Sequence, residues 1–160
     1  MNMELHCTIA EAQSIYSAYN ALAKYELSCA SVIAFNLAKM FDVFSDIERQ
    51  RIEILSKDCR LDDSGSPLGQ IYDLESNVPL DHIWPTTIDM CQELVEDGQY
   101  VGFAFNSEEV RRRNDEKVRQ LLSDIHDFGA IKVISQHELN GVSMPAEILF
   151  PLIRNQLITE

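Results

Sequence analysis

Apolar and polar residues alternate along the first seven positions of the chain. Met1, Met3, Leu5 and Cys7 would face one side, and the polar residues between them the other. A period of two predicts a half-buried strand. Thr8 and Glu11 then form a T-x-x-E capping box, which predicts that a helix begins at this point.

A helical stripe follows, with apolar residues recurring every three or four positions between residues 8 and 58. Its members are Ile9, Ala12, Tyr16, Tyr19, Ala23, Leu27, Ala30, Ile33, Leu37, Met40 and Phe44. This spacing is typical of one helix face. A helix of that length cannot bury its stripe alone, so the pattern predicts a partner helix or a second chain. Ser28 and Ser45 are the two candidate caps at which one long helix would break into a hairpin.

The middle of the chain is less regular. "RLDDSGSPLG", residues 60–69, is typical of a loop, and residues 70–87 are expected to be irregular because they show no period. We predict a short helix from about Thr87, with Gly98 just past its end. Residues 99–105 predict a strand.

Two further elements complete the expected core. Asn106 is a candidate cap for a helix that runs to Gly129, and residues 130–135 predict a strand. The buried stripe of that helix would comprise Val118, Leu121, Leu122, Ile125 and Phe128. We expect the strands at residues 2–7, 99–105 and 130–135 to form one small sheet.

The end of the chain, "HELNGVSMPAEILFPLI", residues 137–153, is rich in large apolar residues. "QHEL" predicts a single helical turn closed by Asn140 and Gly141. Pro145 suits the first position of a helix, and Pro151 would end that helix after Phe150. So much apolar surface predicts that this tail docks on the core, with a partner-binding tail as the alternative.

Taken together, these patterns predict an α+β fold that is mostly helical, with a long helical hairpin and a small sheet of about three strands. The 160 residues are expected to form one domain. Its three parts would be a helical hairpin at residues 8–58, an acidic insertion-like segment at 60–106, and a helix, a strand and short helices at 107–160.

The distribution of charged residues along the chain indicates which class of molecule it could bind. The net charge is −13, and the segment between Arg60 and Arg111 contains no Lys or Arg but eleven Asp or Glu. Direct nucleic-acid binding needs cations, so this segment favours a basic protein as partner. An acidic surface that serves only solubility is the alternative. No apolar run approaches the roughly 20 residues of a membrane span, so we expect no membrane partner and a cytoplasmic location.

Few residues suggest chemistry. Cys7, Cys29, Cys59 and Cys91 form no CxxC pair, and no HExxH, GxSxG or phosphate-binding glycine motif is present. His82 beside Asp81 is the one pair that could act as a base or hold a metal. We therefore predict no catalytic residue, metal ligand or cofactor. The basic cluster "RRRNDEKVR" is interleaved with acids, which is typical of an ion-paired helix surface.

The order of these features resembles a family of small phage-encoded proteins with no assigned activity. The matching pieces are "NALAKYELSCASVIAFNLAKMFDVFSDIERQRIEILSKDCRLDDSGSP", "NDEKVRQLLSDIHDFGAIKVI" and "HELNGVSMPAEILFPLI". The resemblance implies a phage or prophage origin, a hairpin turn near Leu27–Ser28 and no established catalytic residues. Residues 69–106 look like an insertion relative to that family.

We therefore expect a non-enzymatic interaction protein in the host cytoplasm, acting as an acidic inhibitor of a basic, nucleic-acid-binding host defence protein. A virion or assembly component, and a small hydrolase or metal-dependent enzyme that uses His82 and Asp81, are the alternatives. A homodimer through residues 8–58 is a further expectation. The expected partner-binding residues are Asp62, Asp63, Asp73, Glu75, Asp81, Asp89, Glu93, Glu96 and Asp97.

Overall fold

The computed structural model describes residues 1–76, 78–85, 94–96 and 98–160. The fold is α+β with more helix than strand, as predicted. In chain order its elements are β1 (Asn2–Cys7), α1 (Ile9–Leu22), α2 (Ala30–Lys57), β2 (Leu68–Asp73), β3 (Pro79–Pro85), β4 (Leu94–Glu96), β5 (Gln99–Phe103), α3 (Glu108–Ser123), β6 (His126–Lys132), β7 (Ile134–Ser135), α4 (Phe150–Arg154) and β8 (Ile158–Thr159).

The chain divides into two compact units. The first combines Met1–Ile47 with Leu121–Glu160, and the second is Glu48–Gln120. Helices α2 and α3 contribute residues to both units. The expectation of a single domain over residues 1–160 stays a prediction.

The stripe between residues 8 and 58 forms two helices, because α1 ends at Leu22 and α2 begins at Ala30. Leu27 and Ser28 lie in the connection between them, where the hairpin turn is expected. Ser45 lies inside α2 and starts no new helix. The Tyr16 and Phe44 rings meet edge to face with their centroids 5.5 Å apart, which joins the two helices. Dimer formation through these helices stays a prediction.

Strand β1 shows the alternation that its sequence predicts. Leu5 and Cys7 are buried, whereas Glu4 and His6 are exposed. β1 pairs antiparallel with β6, and the register shifts at a bulge between Leu5 and His6. The buried side chains of this pair enter the same hydrophobic core as those of α1 and α2.

Asn36 on α2 joins that helix to the free edge of β6. Its side chain is fully buried, and its amide donates to the Lys132 carbonyl oxygen at 2.8 Å. The Lys132 N–H donates back to the Asn36 amide oxygen at 2.9 Å. The side chain therefore replaces the backbone of a neighbouring strand, which satisfies two groups of an otherwise open edge.

The tail, residues 137–153, packs against the rest of the first unit, as predicted. Leu139, Leu152 and Leu157 belong to its core. The Glu11 carboxylate on α1 accepts hydrogen bonds from Asn155 Nδ2 at 2.7 Å and Arg154 Nε at 2.8 Å. The Asn155 hydrogen bond, followed by that of Arg154, holds the pKa of Glu11 below its ordinary value.

The prediction for the prolines of the tail was wrong. Pro145 precedes a single 3-10 turn, Ala146–Ile148, instead of occupying the first helical position. Pro151 lies in the first turn of α4 and ends no helix. A first-turn N–H has no partner within its helix, so a proline costs no hydrogen bond at that point.

The predicted helix from Asn106 to Gly129 is also shorter than expected. It ends at Ser123, and Ile125 is 71% exposed, whereas Phe128 is fully buried on strand β6. Pairing with β1 outweighs the helical spacing of these apolar residues. His126 Nε2 lies 2.7 Å from the Leu121 carbonyl oxygen and donates to it, which caps the last turn of α3.

The predicted sheet of residues 2–7, 99–105 and 130–135 does not form. The first segment pairs with β6, whereas β5 belongs to a separate four-stranded antiparallel sheet in the order β3-β2-β5-β4. β7 and β8 form a short parallel pair of their own. The described strands therefore make three sheets, because the chain between α2 and α3 supplies its own pairing partners.

The expected irregular stretch at residues 70–87 contains most of β2 and all of β3. Pro79 and Pro85 are the end residues of β3, an edge strand, where a missing N–H costs the sheet little. The expected helix from Thr87 is contradicted at Leu94–Glu96, which is strand β4, and residues 86–93 lie outside the described part. Gly98, with φ +81°, lies at the β4–β5 turn.

Replacing Asn36 tests its part in holding α2 to β6. Asn36→Ala leaves two backbone groups of Lys132 without partners, so we expect a loss of about 3 kcal/mol in the free energy of unfolding. Urea denaturation measures this loss. Asn20→Ala, at an exposed position of α1, is the matched control and is expected to change stability little. Equal effects of the two substitutions would contradict the role of Asn36.

Candidate protein-binding site

Asp62 organises the loop that precedes β2. Its Oδ1 accepts hydrogen bonds from the backbone N–H groups of Ser64 and Ser66, both at 2.9 Å, and from the Ser64 hydroxyl at 2.7 Å. An aspartate whose carboxylate accepts hydrogen bonds from residues two to four positions later in the chain stabilises a turn. The Ser64 hydroxyl, with the Ser66 N–H next, holds the pKa of Asp62 below its ordinary value. This carboxylate therefore has a structural task.

Asp73 has the same task at the other end of β2. Its Oδ2 accepts from the Ser76 N–H at 2.8 Å and from the Ser76 hydroxyl at 2.7 Å. The hydroxyl hydrogen bond is the main reason why the pKa of Asp73 lies below its ordinary value. Two of the acids expected to bind a partner, Asp62 and Asp73, therefore stabilise the turns in which the adjacent residues lie.

The structure separates these acids into two groups. Asp62 and Asp63 precede β2. Asp73 is the last residue of that strand, and Glu75 follows it. Five steps at roughly 3.3 Å each place the ends of this strand about 17 Å apart. The described acids therefore form no single row of closely spaced charges.

The antiparallel order brings the backbone of one further predicted acid, Glu96, to the second group. Asp73 is paired with Gln99, and Glu96 is paired with the same residue from the opposite side. The Leu74 N–H donates to the Gly98 carbonyl oxygen at 2.7 Å, so the β2–β3 and β4–β5 turns lie side by side. We call this surface, residues 73–76, 78 and 98, the acidic sheet end.

Several predicted site residues are only partly described. Asp81 and Glu96 have backbones on β3 and β4, and their side chains lie outside the described part of the chain, as does that of His82. Asp89, Glu93 and Asp97 lie outside it entirely. The alternative that Asp81 and His82 carry chemistry therefore stays a prediction.

Sequence analysis missed the apolar part of the acidic sheet end. Leu74 and Val78 are 56% and 52% exposed, and both lie next to the turn that contains Glu75. Residues 70–87 were expected to be irregular, and no periodic pattern placed Leu74 or Val78 on the surface. The alternation of acid and apolar residues in "DLES" was the available signal. Exposed apolar side chains rimmed by charge are typical of protein contacts.

The middle of the same sheet is closed by α3. Tyr72 and Tyr100 stack with their ring centroids 5.4 Å apart, and Arg111 lies 5.8 Å from the Tyr72 centroid. A cavity of about 70 Å³ remains beside these residues. Small-molecule sites usually enclose roughly 300–1,000 Å³, so this cavity is small for a substrate.

Two arginines of the basic cluster on α3 form ion pairs within the helix, as predicted. Arg111 is paired with both Glu108 and Asp115, and Arg119 with Glu116 at 2.6 Å. Burial raises the pKa of Asp115, and Arg111 opposes that shift. The charge of Arg111 is thus neutralised within the helix and offers no phosphate-binding surface.

Comparison with known protein families, with curated proteins and with solved structures finds no match to this chain. Within the described residues, no helix is both long enough and apolar enough to cross a bilayer. Support for a function therefore comes from the geometry of the chain itself.

Substitutions at Asp73 separate its acceptor role from its charge. Asp73→Asn keeps an oxygen that accepts the Ser76 N–H, so we expect the amide chemical shift of Ser76 to stay near its wild-type value. Asp73→Ala removes the acceptor and should move that shift towards the value of an unstructured chain. A two-dimensional NMR spectrum of amides measures both, and equal effects of the two variants would contradict the turn-forming role.

The same turn has a defined dependence on pH. Because the folded pKa of Asp73 lies below its ordinary value of 3.8, its stabilising contribution is fully present above that pH. It is lost only as the pH falls through the lower, folded pKa. Following the Ser76 amide shift between pH 7 and pH 2 should show its change below pH 3.8. A change centred above that value would contradict the hydrogen-bonded carboxylate.

Proposed function

We propose that this chain is a non-enzymatic interaction protein of phage or prophage type, which binds a basic host protein through the acidic sheet end. One observation carries the proposal. The exposed carboxylate of Glu75 forms no hydrogen bond or ion pair with another described residue, and it lies in a turn between exposed Leu74 and Val78.

The charge around this turn supports a cationic partner. The chain has no Lys or Arg between Arg60 and Arg111, so no basic side chain of that segment competes for Glu75. Acids on one protein and bases on another speed association and exclude wrong partners. A nucleic acid would be repelled by the same charges, which favours a protein that itself binds nucleic acid as the target.

The apolar residues support a protein contact over a simple solubility surface. A surface that serves only solubility needs charge and gains nothing from exposed leucine and valine. Burial of a leucine or valine side chain contributes roughly 1.5–3 kcal/mol. Leu74 and Val78 would therefore supply affinity, while Glu75 would supply selectivity for a basic surface.

The two structural aspartates change which acids are expected to matter. Asp62 and Asp73 already accept hydrogen bonds from serines, so each has less capacity left for a partner. Asp63 and Glu75 are exposed and make no described hydrogen bond through their carboxylates. Of these, Glu75 is the one that shares a surface with Leu74 and Val78.

A salt-dependent pull-down from a candidate host lysate tests the proposal, with mass spectrometry to identify the captured protein. We expect one basic, nucleic-acid-binding protein whose capture weakens between low and moderate salt. Glu75→Gln should lower its affinity roughly three- to tenfold at low salt, since charges at an interface rim contribute about 1 kcal/mol. Leu74→Ser should lower it at both salt concentrations.

Glu53→Gln on α2 is the matched control, because Glu53 is also exposed and carries the same charge. It should leave the affinity for the captured protein unchanged. If Glu75→Gln and Glu53→Gln behave alike, the acidic sheet end is not the binding surface. Recovery of the chain in purified virus particles, without a basic partner, would instead support the assembly alternative.

A further inference from the structure

A second group of polar side chains lies on the outer face of the β1–β6 pair. Glu4 and His6 are two residues apart on β1, so they share a face. The bulge between Leu5 and His6 brings His6 opposite Asp127 of β6. One ligand atom from each of Glu4, His6 and Asp127 lies within 4.8 Å of the others.

The bulge explains why Asp127 points outwards. Leu5 is paired with Gly129 and His6 with Asp127, so Phe128 is the extra residue of β6. Its side chain is fully buried in the core, whereas the Asp127 side chain is 63% exposed. The Gly129 N–H donates to Asp127 Oδ1 at 2.8 Å, which fixes the direction of that carboxylate.

Apart from His6 itself, no basic residue of the described part of the chain pairs with the carboxylates of this group. Within the described part of the chain, neither Glu4 nor Asp127 forms an ion pair with a Lys or Arg, and His6 Nδ1 lies 3.9 Å from Asp127 Oδ1. Two carboxylates that converge on an imidazole repel each other unless a cation lies between them. A metal ion would neutralise both and would accept the imidazole nitrogen.

We propose that Glu4, His6 and Asp127 bind a divalent transition-metal ion of the zinc or manganese class. One imidazole nitrogen with two carboxylate oxygens suits these ions, whereas magnesium and calcium prefer oxygen ligands alone. Ligands at roughly 2.1 Å from one ion lie at most about 4 Å apart. The observed limit of 4.8 Å lies a little above that separation, and all three side chains are exposed.

The site differs from the sequence expectation, in which no metal ligand is present. Sequence analysis did predict that Glu4 and His6 share the polar face of the first strand. It placed Asp127 on a helix, so the third ligand was missed. The metal would cross-link β1 to β6, which are paired strands of the first unit.

Titration calorimetry with zinc chloride tests the proposal on the full chain. We expect a binding event that His6→Gln and Asp127→Asn each weaken at least tenfold. His137→Gln is the matched control, because His137 is another exposed histidine outside this group. It should leave zinc affinity unchanged. In NMR spectra, zinc should shift the ring signals of His6 before those of His137.

All replaced side chains are exposed, so thermal unfolding without metal should match the wild type and show that the variants fold. Zinc should raise the unfolding temperature of the wild type and of His137→Gln, and it should raise that of His6→Gln less. Zinc binding that His6→Gln leaves unchanged would overturn the proposal. Absence of zinc binding, or magnesium binding of equal strength, would overturn it as well.

Discussion

The paired hydrogen bonds between the Asn36 amide and the Lys132 backbone are the constraint on which the first unit depends. Asn36 is fully buried, and a buried amide is tolerated only where its donor and acceptor are both used. Lys132 belongs to an edge of β6 that faces no other described strand, so its N–H and carbonyl would otherwise lack partners. These two hydrogen bonds fix the position of α2 along β6 and the rotation of α2 about its own axis. Phe44 then meets Phe128 at 5.5 Å, and the core closes around these rings.

The second unit depends on a different use of polar side chains. Asp62 and Asp73 each gather serine donors, and the resulting turns begin and end β2. An aspartate in such a turn contributes through its acceptor oxygen, and its charge is secondary. Asp62 and Asp73 keep their negative charge, and fewer of their oxygens remain for direct contact with a partner. At one end of the sheet, the Glu75 carboxylate, which pairs with no described residue, lies beside the exposed side chains of Leu74 and Val78.

Much of the first unit was predictable because its signals are local. The alternation at Leu5 and Cys7, the cap at Thr8 and the docking apolar tail all follow from short-range pattern. The second unit was not, because its strands depend on partners far apart in sequence, and prolines at the ends of β3 look like loop signals. The surroundings of the candidate sites could not be predicted for the same reason. Glu75 and Leu74 were adjacent in sequence, but their exposure could not be predicted, and Asp127 reaches Glu4 only through strand pairing.

The central claim is that the acidic sheet end is the surface that meets a basic partner. Hydrogen–deuterium exchange of the purified chain, alone and in complex with the captured protein, tests it most directly because it locates the contact without any substitution. The account predicts slower exchange for amides of residues 74–76, 78 and 98, and no change for the loop at residues 62–66. Protection confined to α1 and α4, or to residues 62–66, would contradict it.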